Sequence, residues 1–307
     1  MITMRFVLVL FLLFPFTLHA VESNGPITAP SYILIEKDSL EIIAGRDYYK
    51  RLAPASTTKV LTTLIALEKL EGNEPITPDR AVLKIPRSKM NLVPGKQYKS
   101  WDLMKGAMVE SANDAAYSLA TYVGGTEQRF AVMMNERAAQ LGATDTHFEN
   151  ASGLPAVDQY TTCYDLALIF KEALLDKRFM ELITTRYFLF QDTPRRVEYK
   201  NHNRLLFCFE PTIGGKTGYT RSSKHSYVGA FEKDGRVYIL ALLGSRNLWG
   251  DSVEILKNLY TVLPTDRELR LARAGSPSLA SYRPKRGPKI PAIKKIRAKK
   301  TRKANRI

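Results

Sequence analysis

Three short motifs stand in chain order and hold the residue types that nucleophilic catalysis needs: Ser56-Thr57-Thr58-Lys59, Ser111-Ala112-Asn113 and Lys216-Thr217-Gly218. A serine hydroxyl attacks well only beside a base that takes its proton, and an amine three residues along a helix lies on the same face, within reach. That amine must be partly neutral near pH 7. Burial disfavours an ammonium and a second cation nearby lowers its pKa further, which makes Lys216 the natural companion of Lys59. On a strand, Lys216 and Thr217 are placed to hold a substrate carboxylate, and Gly218 lets substrate backbone lie close. Ser111, in a break between two helices, is placed to pass a proton to a leaving amine, and Asn113 to bond a substrate amide. Two backbone N–H groups would stabilise the oxyanion.

Singly, these motifs are weak. S-x-x-K is expected about once by chance in a chain this rich in Ser and Lys. Ser56 alone would serve as an ordinary helix cap. S-x-N recurs at Ser245-Arg246-Asn247, after the last strand. Placement gives the trio its force. Competing chemistries are poorly supplied: His19 falls in the expected N-terminal signal, His147, His202 and His225 show no metal spacing, and H-E-x-x-H, G-x-S-x-G and phosphate-loop glycines are absent. No metal or cofactor is expected.

The elements that must position these residues can be read from periodicity. Ser31–Glu36 and Leu40–Ala44 read as strands around a Lys37-Asp38 turn. Ser56–Leu70 carries helical apolar spacing and stops at Gly72. Further helices are expected over Trp101–Val109, Asp114–Tyr122 and Glu127–Leu141, and a capping box at Thr162–Asp165 should open one running to Leu175. Gly215–Thr220 reads as a strand. Ser226–Phe231 and Val237–Leu243 form a hairpin about Asp234-Gly235, because Asp-Gly suits the positive φ of its turn. A last helix is expected over Ser252–Leu263. This is a mixed α/β domain.

The chain of 307 residues has a net charge of +16. Arg283–Ile307 holds twelve Lys or Arg and no acid, so removing it leaves +4 and most of the imbalance belongs to the C-terminal segment. From Ala274 onward Gly, Pro, Ser and basic residues dominate, a composition that cannot bury enough surface to fold alone. The organisation expected is an export signal over 1–20, a catalytic domain over 21–265 and a basic, disordered tail over 266–307. The signal reading rests on one charge in Met1–Arg5, the apolar run Phe6–Leu18 and a cleavage site at Leu18-His19-Ala20. That run falls short of the roughly 20 residues a membrane span needs; an uncleaved anchor is the alternative. Two cysteines, Cys163 and Cys208, are too few for a disulfide scaffold and read as free buried thiols. The tail could bind an anionic membrane or an acidic wall polymer electrostatically, or be solvated without a fixed partner. Nucleic acid does not suit an exported chain.

The trio in this order resembles that of the low-molecular-mass penicillin-binding proteins, the D-alanyl-D-alanine carboxypeptidase family. The likeness extends through Pro54–Lys59, Met134-Asn135 to Leu141-Gly142, His147-Phe148, Ser152–Pro155, Tyr160–Thr162 with Asp165–Ala167, Asn203–Leu206 and Gly215–Thr220, covering about residues 28 to 263. It implies an α/β (α+β) fold of the β-lactamase/transpeptidase type: an antiparallel sheet flanked by helices, with an all-helical lobe. It implies Ser56 as the acylated nucleophile, Lys59 as its base and Ser111 with Asn113 as the second catalytic element. Lys216 becomes the substrate-carboxylate ligand, with Thr217 and Gly218 beside it, and the N–H groups of Ser56 and Tyr219 form the oxyanion hole. The substrate would be a peptidoglycan stem peptide, with β-lactams as covalent inhibitors, in the periplasm or cell envelope. Relatives often carry Asp or His at the position of Tyr219. Two-domain relatives continue with a β-rich domain where about forty residues remain here. Carboxypeptidase and cross-link-cleaving D,D-endopeptidase activities both stay open. A β-lactamase is disfavoured because no Glu-x-x-Leu-Asn-like carboxylate lies between Ser111 and Lys216, and a non-catalytic β-lactam sensor because a binder needs no base.

Overall fold

The computed structural model describes residues 27–192 and 195–273; the expected export signal and the segment from residue 274 lie outside them. Nine strands are present among the described residues: β1 (Ser31–Glu36), β2 (Ile42–Arg46), β3 (Pro75–Ile76), β4 (Tyr98–Lys99), β5 (Tyr187–Asp192), β6 (Arg195–Lys200), β7 (Thr212–Thr220), β8 (Lys224–Lys233) and β9 (Arg236–Ser245). Five form an antiparallel sheet in the order β2-β1-β9-β8-β7; β3-β4 and β5-β6 are separate two-stranded ribbons. The helices are α1 (Lys59–Lys69), α2 (Ser100–Lys105), α3 (Asn113–Gly124), α4 (Glu127–Gln140), α5 (Cys163–Ala173), α6 (Lys177–Thr184), α7 (Leu205–Cys208), α8 (Leu248–Leu256) and α9 (Asp266–Arg273).

Alternation of side chains along a strand puts two faces to use. In β1, Ile33 and Ile35 join a large core with the helical lobe, while Tyr32 and Leu34 join a second core beneath α8. Every residue of β1 is therefore buried. α1 runs through the larger core, with Val60, Leu61, Leu64 and Ile65 all at most 3% exposed. The β8–β9 hairpin closes as its sequence demands: Asp234 and Gly235 take φ of 53° and 75°, and Lys233 pairs with Arg236.

Several boundaries differ from the sequence expectation, each for a physical reason. The helix expected from Ser56 opens instead with a 3₁₀ turn, Ala55–Thr58, and becomes α-helical at Lys59. The helix expected over Trp101–Val109 is α2 followed by a wide π turn, Gly106–Glu110, where Gly106 lies so close to Met90 that a Cβ would meet its sulfur at 2.0 Å. Thr162 caps α5 by accepting from the Asp165 amide, but Asp165 turns its carboxylate to Asp145 N–H and the Thr146 hydroxyl, so the box is only half made. α5 stops at Ala173, short of the expected Leu175.

The helix expected over Ser252–Leu263 is α8, which starts four residues earlier and ends at Leu256. Its start is fixed by buried Asp251, which accepts from the Thr28 amide and hydroxyl and from the Ser245 hydroxyl. The second S-x-N sequence thus belongs to a helix start. α9 lies beyond the expected domain end at 265. Thr265 and Glu268 form a reciprocal capping box, and Leu269, 4% exposed, joins the second core. That burial is worth about 1.5–3 kcal/mol. Both cysteines are free, Cys163 buried and Cys208 partly so. No helix among the described residues is long and apolar enough to cross a membrane.

Removing the Asp251 carboxylate strands the Thr28 and Ser245 donors in a part-buried setting. Asp251→Ala should lose about 1–3 kcal/mol of stability, read from urea denaturation.

Candidate active site

The nucleophile stands where the chain turns from an extended segment into α1. Ala55 just before it takes φ 50°, and the 3₁₀ turn leaves Ser56 partly exposed while Thr57, Thr58 and Lys59 are buried. Two glycines let other segments press against this turn. A Cβ on Gly153 would lie 1.8 Å from the Ala55 carbonyl oxygen, and one on Gly218 would lie 2.8 Å from the Ser56 nitrogen. Gly218 therefore serves the protein's own packing: it lets β7 approach the nucleophile's backbone.

Lys59 is 0% exposed. Its Nζ is 2.9 Å from Ser56 Oγ, 2.7 Å from Asn113 Oδ1 and 2.7 Å from the Ser152 carbonyl oxygen. The orientation of Asn113 is set by its other end, where Nδ2 donates to the carbonyls of Pro86 and Arg87. Two of the three partners of the amine can only accept. A neutral amine has two hydrogens and one lone pair. Both hydrogens go to Asn113 and Ser152, and the lone pair is left for the Ser56 hydroxyl proton. Burial holds Lys59 well below the ordinary lysine value of 10.5, and the Lys216 charge lowers it further, while the Asp114 carboxylate raises it less. Desolvation wins, since a buried ammonium costs on the order of several kcal/mol.

Lys216, 1% exposed, is pushed down to about 7 by burial, against the opposing pull of Glu110. It donates to Ser111 Oγ at 2.9 Å and to the Thr217 carbonyl at 2.9 Å. Ser111 caps the π turn at φ 63°, ψ 30°, a left-handed conformation rare for a non-glycine residue. Strained backbone of this kind persists only where surrounding structure holds it. Because Ser111 already accepts from Lys216, its own hydrogen is free to point into the cleft.

That cleft, of about 540 Å³, is lined by Ser56, Ser111, Asn113, Thr217, Gly218 and Tyr219 among the predicted residues. β7 is an outer strand of the sheet, so its edge can pair with an extended peptide. Two expectations gain detail. Lys216 is not among the lining residues; two of its hydrogens go to Ser111 and Thr217, and as an ammonium it keeps a third. Asn113 lines the cleft with its Oδ1 on Lys59 and its Nδ2 on the Pro86 and Arg87 carbonyls, so it fixes the base and keeps one Oδ1 lone pair for a substrate N–H. The cations that do line the cleft are Arg87, Lys200 and Arg204, with His202 and His225, and no carboxylate is among the lining residues. Arg204 lies over the Trp249 ring at 5.8 Å. Burial, and then the Arg204 charge, lowers the pKa of His225. Arg204 stands inside the recognised Asn203–Leu206 stretch, yet spacing alone assigns it no role. The Ser152 carbonyl, 93 residues from Lys59, leaves no signal at all.

A buried serine–lysine pair at the end of a helix, a second serine–lysine pair beside it and an open strand edge define an acyl-transferring serine enzyme. The model of the D-alanyl-D-alanine carboxypeptidase family matches residues 18–247, and the chain belongs to that family. It is 35% identical over 222 residues to the D-alanyl-D-alanine carboxypeptidase DacB2 of Mycobacterium tuberculosis, covering 72% of this chain and 75% of that one. It is 29% identical to DacF of Bacillus subtilis, of whose length it spans 61%. Among solved structures, a D-alanyl-D-alanine carboxypeptidase from M. tuberculosis superposes with a TM-score of 0.73 at 31% identity, covering 80% of this chain and 97% of that one. A Streptomyces DD-transpeptidase gives 0.71 at 26% identity, covering 76% and 98%. The fold is that of the penicillin-binding serine enzymes, and the enzyme class is serine peptidase.

The depressed pKa of Lys216 carries a pH signature. Between about 7 and 10.5 the unfolded chain binds a proton at this lysine that the folded one does not, so stability from this group rises with pH across that window and is flat below it. Lys216→Met removes this contribution. The stability of wild type relative to this variant should increase from about pH 7 to about pH 10 in paired denaturation curves; a pH-independent difference would show an ordinary lysine.

Proposed function

We propose that the protein is a serine-type D-Ala-D-Ala carboxypeptidase that removes the terminal D-Ala of peptidoglycan stem peptides through an acyl-enzyme on Ser56. The observation that carries this reading is the hydrogen-bond inventory of Lys59: two obligate acceptors and one hydroxyl around a buried amine. As Ser56 Oγ attacks the penultimate carbonyl carbon, its proton passes to the Lys59 lone pair. The oxyanion is met by the N–H groups of Ser56 and Tyr219. The leaving D-Ala nitrogen takes the Ser111 hydroxyl proton, which Lys216 replaces across their 2.9 Å bond. After D-Ala leaves, Lys59 gives its proton to cleft solvent and Lys216 takes one from it; a water then gives a proton to Lys59 as its oxygen attacks the ester carbonyl, and Lys59 returns that proton to Ser56 Oγ as the ester C–O bond breaks. The D-Ala carboxylate is held by Thr217 and by the guanidinium of Arg204, and the buried Lys216 charge adds to their pull.

β-Lactams acylate Ser56 by the same first step. Residues 1–20 fit an export signal, because peptidoglycan lies outside the cytoplasmic membrane. Cleavage of cross-linked peptides is the second reading, favoured by a cleft of about 540 Å³, which exceeds what a single alanine fills.

Ser56→Ala should abolish both labelling by a fluorescent penicillin and D-Ala release from a pentapeptide. Lys59→Met should slow acylation by about 10²–10⁴-fold while leaving the thermal unfolding transition cooperative. Labelling of Ser56→Ala at wild-type level would place the nucleophile elsewhere. Faster cleavage of a cross-linked dimer than of the pentapeptide would give the second reading precedence.

A further inference from the structure

Five side chains that line the active cleft carry or can carry positive charge, Arg87, Lys200, His202, Arg204 and His225, and none of the lining residues is acidic. The terminal carboxylate of the substrate answers one of them, Arg204 in the assignment above. His202 faces Glu110 across 3.7 Å. Arg87 and Lys200 have no carboxylate partner among the described residues, whereas Arg51, Arg137, Arg178 and Lys257 each have one.

Both unanswered cations are held in place. Lys200 closes β6; its Nζ donates to the Ala272 carbonyl near the end of α9 at 2.5 Å and lies 4.6 Å from the Phe207 ring centre. Arg87 sits in a segment that Asn113 ties down, since the Asn113 backbone amide donates to the Ser88 carbonyl at 2.8 Å and its Nδ2 to the Pro86 and Arg87 carbonyls. Tyr199, next to Lys200, reaches the Met90 carbonyl with its hydroxyl at 3.4 Å, which links β6 to that segment. Capping α9 accounts for one hydrogen of the Lys200 ammonium and for nothing at Arg87. Two ammonium hydrogens and the guanidinium fork stay available to a ligand.

Cations gathered in one cleft without an anion repel each other. A ligand carboxylate turns that repulsion into attraction, and a guanidinium receives it through charge-assisted bonds. The substrate class assigned above supplies such groups. Besides its C-terminus, a stem peptide bears a carboxylate on its glutamyl residue and, where the diamino acid is diaminopimelate, another there; amidation removes either charge.

We propose that Arg87 and Lys200 form a second carboxylate subsite, which makes the enzyme selective for stem peptides with a free side carboxylate over those in which it is amidated; this rests on the peptidase reading above. The two residues determine specificity and take no part in the bond-breaking step. They therefore discriminate through kcat/KM between peptides that share the same D-Ala-D-Ala end.

The test uses three diaminopimelate pentapeptides: one with both side carboxylates free, one amidated on diaminopimelate and one amidated on the glutamyl residue. For the full wild-type chain, kcat/KM for D-Ala release should be at least about 10-fold higher for the free peptide than for one of the amidated pair, the scale of one lost bond to a charged group. The peptide that suffers names the carboxylate that is read. Arg87→Gln and Lys200→Met should each bring this ratio toward one, and Lys200→Arg should preserve it. Arg87 is exposed, so Arg87→Gln decides the matter if Lys200→Met does not fold. Equal kcat/KM on all three peptides would overturn the proposal. A ratio that survives in both variants would do so too, leaving Lys200 as a cap for α9 alone. Failure to release D-Ala from any peptide would overturn the peptidase reading instead. Calorimetric binding of the three peptides to Ser56→Ala would then still decide the subsite, with tighter binding of the free peptide expected.

Discussion

A lysine amine buried beneath the nucleophile is the constraint on which the rest of this structure depends. Lys59 is fully buried and faces two carbonyl-type oxygens and one hydroxyl. An ammonium could satisfy all three, but only at the cost of an unpaired buried charge with a second lysine nearby. The neutral amine satisfies them equally well and costs far less. Its lone pair then has one direction left, toward Ser56. Catalytic competence here is a consequence of solvation and of hydrogen-bond counting.

The surrounding elements make sense as the means of holding that arrangement. α1 brings Lys59 beneath Ser56, the π turn and left-handed Ser111 place the second serine, and α3 presents Asn113. The Asn113 carboxamide ties the base to the Pro86-Arg87 segment, so a single residue joins the floor of the site to its wall. β7 contributes Lys216 and its open edge, and Gly218 and Gly153 allow the close approach. Large helical and sheet cores on either side make these positions stiff enough to tolerate strained backbone at Ala55 and Ser111.

Much of this is legible in the amino-acid order, and the exceptions are instructive. Ser56, Lys59, Ser111, Asn113 and Lys216 can be singled out because their chemistry needs particular residue types at particular spacings, and the structure gathers all five. Their detailed duties are less accessible. The motif puts Lys216 at the carboxylate; that it is buried against Ser111 and Thr217, and not among the lining residues, is a tertiary fact. The Ser152 carbonyl has no residue-type signature, since every residue owns one. Arg204 sits in a recognised stretch without a spacing argument to give it work. Ending the last expected helix before Pro264 leaves α9 in the expected tail, although the Thr265…Glu268 capping box is there to be read. Substrate approach is the role the motif gives Gly218, while its closer neighbour is the Ser56 backbone.

The protonation state of Lys59 is the quantity to measure. With lysine ¹³Cε labels and a Lys59→Arg variant for assignment, the Lys59 resonance followed against pH should titrate well below 10.5, and the rate of Ser56 acylation by a β-lactam should rise through the same pH range. A Lys59 signal that stays that of an ammonium up to about pH 10, with acylation already fast at neutral pH, would contradict the account.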